Sequence, residues 1–262
     1  MVRTVVIIPA YNEGARIGEV VRGVRETVPE YDVLVVDDGS RDNTGLGAMA
    51  AGAEVISHPF NLGYGVAIQT GYKYALAQEY EYLVQMDGDG QHDPSFIPML
   101  LAPVTAGETD FALGSRFLGI GNYEPSGVRR VGMVFFRTLV SWLIGQHITD
   151  STSGYQAFNR RVIRFFSTEV FPCDYPDADM LITLHRAGFR IREVPVRMCP
   201  NPTGQSMHSG WKPLYYLFKM LLSIFVTLLR ADRRIRLILD EAAPGVKKEE
   251  QRKVTKSTMA GS

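Results

Sequence analysis

Two carboxylates and a carboxamide stand at alternate positions in Asp87-Gly88-Asp89-Gly90-Gln91, directly after the apolar run 82–86. In extended backbone alternate side chains share a face, so Asp87, Asp89 and Gln91 can approach one cation. A hard divalent ion such as Mg2+ or Mn2+ accepts carboxylate and amide oxygens, keeps some waters, and completes its shell with substrate phosphate oxygens. A nucleotide diphosphate suits that gap. Asp-Gly pairs also make solvated tight turns. An EF-hand loop is excluded, because no Glu follows at the spacing such a loop requires.

Three further polar clusters precede it: Pro9-Ala10-Tyr11-Asn12-Glu13, Val36-Asp37-Asp38-Gly39-Ser40 and Asn61-Leu62-Gly63. Each alone can be a turn, and Asp-Asp-Gly-Ser after a strand can be a helix N-cap. Their order sets them apart, since every cluster falls at a strand-to-helix junction. The strands are the short apolar runs 4–9, 33–36 and 82–86, with a weaker one at 54–57. Between them lie stretches of helical period, with Ile17, Val20, Val21, Val24 and Val28 in the first and 66–78 in the last. Strand and helix alternating in this way predict an α/β fold, a doubly wound and mostly parallel sheet with helices on both faces. Ligands of such sheets sit beyond the carboxyl ends of the strands, where Asn12, Glu13, Asp37, Asp38, Asp87 and Asp89 emerge together.

The chain has 262 residues, 45% of them hydrophobic, enough for a full core. Its 28 basic and 28 acidic residues balance, so no global field draws nucleic acid. Two cysteines, Cys173 and Cys199, make no disulfide scaffold, and reduced thiols in a cytoplasmic compartment are the simpler reading. Met1 leads straight into an apolar strand without the basic region and cleavage site of a signal peptide.

After residue 110 the pattern changes to a strand ending in Gly114-Ser115-Arg116, a Gly-rich loop through Gly127, an apolar helix over 131–144 and a helix over 177–187. From 214 to 229 nearly every residue is apolar except Lys219, Ser223 and Thr227, which recur every four positions as one polar stripe. The run falls short of the roughly 20 residues a spanning helix needs. Arg230, Arg233, Arg234 and Arg236 follow, as beside anionic headgroups. Peripheral attachment at the inner face of the membrane is one expectation, and packing of this helix against a second subunit, an anchoring partner or the protein's own core is the other. The domains expected are 1–210 for the main body, 211–241 for this helix and 242–262 for a polar tail without means to offset its ordering entropy.

With the four clusters in order, residues 3 to 210 resemble the family 2 inverting glycosyltransferases of GT-A fold, especially the dolichyl- or polyprenyl-phosphate sugar synthase branch. The resemblance implies that Pro9, Tyr11, Glu13 and Asp37, with Asp38 as a second candidate and Gly63 beside them, hold the nucleotide sugar. It implies that Asp87, Asp89 and Gln91 bind Mg2+ or Mn2+ and the diphosphate. Gly114-Ser115-Arg116 is similar to a segment whose arginine faces a phosphate, and Arg130 to a second such arginine; a guanidinium fork suits phosphate. Asp150-Ser-Thr-Ser-Gly154-Tyr155 with Arg160, and Glu193-Val194-Pro195, resemble pocket-shaping segments. Asp179 falls where the family carries an acid facing the acceptor, although an acid there also favours a helix N-terminus. One departure is clear: Asn201-Pro-Thr-Gly204-Gln-Ser206-Met207-His208 replaces a segment that carries two cations in the synthase branch, with His208 and Lys212 as candidate substitutes.

What the resemblance implies is a single in-line displacement of a nucleoside diphosphate from a hexose, with Asp89, Asp179, Arg116 and Arg130 at the reacting groups. A polyprenyl phosphate acceptor is already anionic and needs no strong base, whereas a glycan hydroxyl would need Asp179 as base. A sugar nucleotidyltransferase is disfavoured, since its Gly-rich basic loop is replaced here by Pro9 to Glu13. A non-catalytic sugar-nucleotide-binding subunit is the remaining alternative. UDP-glucose, UDP-N-acetylglucosamine and GDP-mannose all stay open as donors.

Overall fold

The structure, a computed structural model, describes residues 3–119, 127–171, 178–199 and 212–229. The polar tail, Arg230 to Arg236, Cys173 and the Asn201 to His208 segment lie outside the described residues.

Among the described residues seven strands form one sheet: β1 (Thr4–Ala10), β2 (Asp32–Asp37), β3 (Glu54–Ser57), β4 (Tyr82–Gln85), β5 (Phe111–Ser115), β6 (Gln156–Asn159) and β7 (Ile191–Pro195), in the order β3-β2-β1-β4-β6-β5-β7. β1 pairs in parallel with both β2 and β4, and β2 with β3. β6 runs antiparallel between β4 and β5, while β7 is parallel to β5. The expected sheet is therefore mixed, with β6 as the reversal. Its effect is positional: β6 begins at the edge where its neighbours end, so the loop before β6 reaches the crevice that follows β4.

Helices α1 (Ile17–Thr27), α2 (Thr44–Ala50), α3 (Tyr64–Ala77), α4 (Ile97–Thr105), α5 (Gly127–Ile144), α6 (Arg160–Phe166), α7 (Ala178–Arg186) and α8 (Lys212–Leu229) surround the sheet, with a 3-10 turn at Pro94–Phe96. Alternate residues of β1 feed opposite cores, as the two-residue period of a strand requires. Val6 and Ile8 join Ile17, Val21 and Val24 of α1 and Leu100 of α4. Val5 and Ile7 join Ile68 and Tyr72 of α3, Phe158 of β6, Phe166 of α6 and Leu181 of α7. Helices thus cover both faces. Strand β1 is completely buried, which is why its sequence is an unbroken apolar run rather than an alternating one.

α8 is described over Lys212–Leu229, and the rest of the expected 211–241 segment lies outside the described residues. The helix packs on α7, with Met220, Ile224 and Thr227 buried. Among the described residues no helix is long and apolar enough to cross a membrane.

Candidate active site

The strand order reverses between β1 and β4, and the turns that follow these strands carry Tyr11 to Glu13 and the acidic loop 87–91. A reversal of this kind opens a crevice at the carboxyl edge of the sheet.

The first two turns are stitched together. Asn12 takes a left-handed backbone, φ 56°, one of the few residue types that tolerates it. Its N–H donates to Ser40 Oγ at 2.9 Å, and its Oδ1 accepts from Arg41 N at 2.9 Å. Glu13 N donates to Thr44 Oγ1 at 2.8 Å and Gly14 N to Asp42 Oδ2 at 3.0 Å. Asp42 and Thr44 are thus part of the frame, a role visible in sequence only as an Asp-x-Thr ahead of α2. Pro9 is buried and Tyr11 is exposed at the rim.

Asp37 and Asp38 separate in role. Asp37 Oδ1 accepts from Ser40 N at 3.0 Å, closing its own turn. Asp38, 3% exposed, accepts from Leu62 N at 2.9 Å and Gly63 N at 2.8 Å and pairs with His58 Nδ1 at 2.7 Å. Asp38 therefore anchors the Asn61 to Gly63 loop, and Gly63 (φ 101°) enters α3 from that anchor. Gly39 makes the approach possible: at φ 71°, a Cβ there would sit 2.4 Å from the Phe60 carbonyl carbon.

The acidic loop turns at Gly90, φ 79°. Gln91 N donates to Asp89 Oδ1 at 2.9 Å, and Asp87 N to His92 Nδ1 at 2.9 Å. With Nδ1 accepting, the neutral imidazole carries its proton on Nε2, which is buried without a hydrogen-bond partner among the described residues and lies 3.7 Å from Asp87 Oδ2. His92 stacks on Tyr155, ring centroids 4.8 Å apart. Cys199 N donates to Gln91 O at 2.7 Å, and His92 bridges to Met198, so the chain after β7 fastens the loop. Tyr64 OH donates to Asp87 Oδ1 at 2.9 Å.

Burial and the neighbouring Asp87 charge raise the Asp89 carboxyl above its ordinary value. Burial raises Glu13 too, with Asp89 adding to the effect and Arg16 opposing it. Burial lowers His92. A cation would relieve this concentration of partly desolvated negative charge, and the hard oxygen donors present fit Mg2+ or Mn2+. Among the described residues no third His, Cys, Asp or Glu completes a metal cluster; Gln91 is the remaining protein oxygen donor on the loop.

On the other side of the crevice Arg116 grips Asp150, with Nε to Oδ2 at 2.6 Å and Nη2 to Oδ1 at 2.7 Å, both side chains nearly inaccessible. Nη2 also reaches Thr152 Oγ1 at 3.1 Å. Glu193 accepts from the backbone N–H groups of Thr149 and Asp150, both at 2.8 Å, and from Thr149 Oγ1 at 2.9 Å. Arg116 therefore ties β5 to the loop before β6. Arg130 lies exposed in the first turn of α5, and Arg160 pairs with Glu81 away from the crevice. Asp179, 1% exposed, accepts from Met180 N at 2.8 Å and from Ser223 Oγ of α8.

Comparison with known proteins agrees with this arrangement. Residues 5–166 match Glycosyl transferase family 2. The chain is 34% identical over 223 residues to an undecaprenyl-phosphate mannosyltransferase of Micrococcus luteus, covering 79% of this chain and 88% of that one. It is 34% identical over 227 residues to a polyprenol monophosphomannose synthase of Mycolicibacterium smegmatis, covering 83% and 85%. In fold it resembles glucosyl-3-phosphoglycerate synthase from Mycobacterium tuberculosis, crystallised with Mn2+ and UDP-glucose, with a TM-score of 0.64, 22% identity and coverage of 86% and 78%. The ordered turns after β1, β2 and β4 and the sequence kinship agree: the chain belongs to glycosyl transferase family 2 and is a glycosyltransferase.

Proposed function

We propose that this enzyme moves a hexose from a nucleotide diphosphate sugar to the phosphate of a polyprenyl phosphate, with inversion at the anomeric carbon. The observation that carries the reading is the pair Asp87 and Asp89, held beside Glu13 at the switch point, with burial and the Asp87 charge raising the Asp89 carboxyl. Asp87, Asp89 and Gln91 would hold Mg2+ or Mn2+, which when bound offsets charge on the departing diphosphate. Pro9, Tyr11, Glu13 and Asp37 line the turns that receive the nucleoside, and Asp38 with Gly63 holds the adjoining loop in place. Arg116 acts through Asp150 by fixing the loop before β6; the exposed Arg130 supplies a cation on the acceptor side.

The state of Asp179 favours a phosphate acceptor. A base for a hydroxyl acceptor needs a carboxylate oxygen free to take a proton, whereas Asp179 is buried and already accepts from Met180 N and Ser223. The two relatives named for undecaprenyl phosphate and polyprenol support the same acceptor class, and their names favour a mannosyl group. Attachment to the inner face of the membrane follows from the need to meet such a lipid. The exposed Leu221, Leu222, Phe225, Val226, Leu228 and Leu229 of α8 supply an apolar contact face for it.

The test is transfer from radiolabelled GDP-mannose, UDP-glucose and UDP-N-acetylglucosamine to a short polyprenyl phosphate with Mn2+ or Mg2+. A lipid-extractable sugar phosphate, lost on chelation, is expected from one donor. Transfer only to glycan hydroxyls would overturn the acceptor, and no transfer or donor hydrolysis at all would return the chain to a binding role.

A further inference from the structure

We propose that Tyr64 is a positioning residue for Asp87, its phenol aimed by Gln85 so that the carboxylate stands ready for the cation. The inference rests on the metal-site reading above and adds to it a residue that none of the sequence motifs assigns.

A chain of hydrogen bonds leads from the core to the acidic loop. Tyr72 is fully buried in α3, and burial holds its hydroxyl protonated, so it donates. Its acceptor is Gln85 Oε1, on the last residue of β4. Gln85, 1% exposed, turns its Nε2 to Gly154 O at 3.3 Å and to Tyr64 OH at 3.2 Å. Tyr64 OH then donates to Asp87 Oδ1 at 2.9 Å.

The direction of this chain is fixed. Turning the Gln85 amide over would set its oxygen against the Gly154 carbonyl, acceptor on acceptor, so Nε2 must face that side. Tyr64 oxygen then accepts a hydrogen bond from Gln85, and its own hydroxyl donates to Asp87. The Asp87 oxygen has two lone pairs, so it can accept this bond and would still have one with which to hold a cation. Gly154 packs so closely that a Cβ there would meet Tyr64 OH at 3.1 Å as well as Asp87 Oδ2 at 2.9 Å, and the pair cannot splay toward it. Bonds of this kind orient a ligating carboxylate and support its affinity for the metal.

The test is Mn2+ titration of the intact protein, followed by the Mn2+ electron paramagnetic resonance signal, for wild type and Tyr64→Phe. Removing the hydroxyl should weaken Mn2+ binding by about 10–100-fold, and leave the metal-free melting temperature within a few degrees, as at other partly exposed positions. In the transfer assay the Mn2+ concentration for half-maximal rate should rise by the same factor, with kcat at saturating Mn2+ recovering to near wild type. Tyr64→Phe binding Mn2+ within about twofold of wild type would overturn the proposal, since outer ligand partners change affinity by more than this. A wild-type protein that binds no Mn2+ in the presence of UDP or GDP would instead overturn the metal-site reading beneath it.

Discussion

Gly154 stands against Asp87: a β-carbon built on the glycine would lie 2.9 Å from Asp87 Oδ2. The loop before β6 therefore sets the depth of the acidic loop after β4. Gly154→Ala should push the carboxylate off its position and lower kcat/KM by about 10–100-fold, the size of effect seen when a metal ligand is disoriented. Circular dichroism melting should show only a small loss, because the site yields rather than the core.

Asp89 should destabilise the metal-free enzyme. Its carboxyl titrates above the ordinary value, so the folded chain holds that proton more tightly than the unfolded chain, and stability from this group falls as pH rises through the carboxylate range. Asp89→Asn should thus raise the metal-free melting temperature by on the order of a few degrees and abolish stabilisation by Mn2+. In wild type, protons compete with the cation, so the Mn2+-induced rise in melting temperature should shrink as pH drops from 7 towards about 5. Asp42, Asp93 and Asp110 respond oppositely. Hydrogen bonds outweigh burial at each and lower its carboxyl, so their stabilisation is lost only at more acid pH.

Arg116→Met should cost about 3–5 kcal/mol in denaturant unfolding, the usual result of stranding one half of a buried ion pair. Asp150 would be left without its fork. The double variant Arg116→Met with Asp150→Leu should recover much of that loss, as for a buried pair removed whole.

Asp179→Asn should reduce turnover only a few-fold in a polyprenyl phosphate assay, because the acceptor arrives ionised. A fall of about 10²-fold or more would mark Asp179 as an obligatory base and favour a hydroxyl acceptor.

Much of the donor half is legible in sequence because its information is local. A short apolar run bounded by turn residues reads as a strand buried on both faces, as β1 is. Asp38 shows where this stops. Its partners Leu62, Gly63 and His58 lie beyond a helix and a strand, so the sequence offers Asp38 only as a second nucleotide-binding candidate and does not show it as an anchor. Arg116 shows the same limit: nothing near Gly-Ser-Arg in sequence reveals that it pairs with Asp150 in the loop before β6. Tyr64, Gln85 and His92 carry no spacing signal, since each acquires its role from a neighbour brought by the fold.

The reversal at β6 also orders events in time. Strands β3, β2, β1 and β4 all come from the first third of the chain and can pair as they leave the ribosome, but β4 keeps an open edge until β6 slides in beside it. Gly154 arrives just ahead of that strand, and with it the carbonyl that orients Gln85 and the backbone that packs against Asp87. A nascent or truncated chain can own every acidic residue of the motif and still lack a site, so competence to hold the donor comes late, only after the sheet has closed over its own edge.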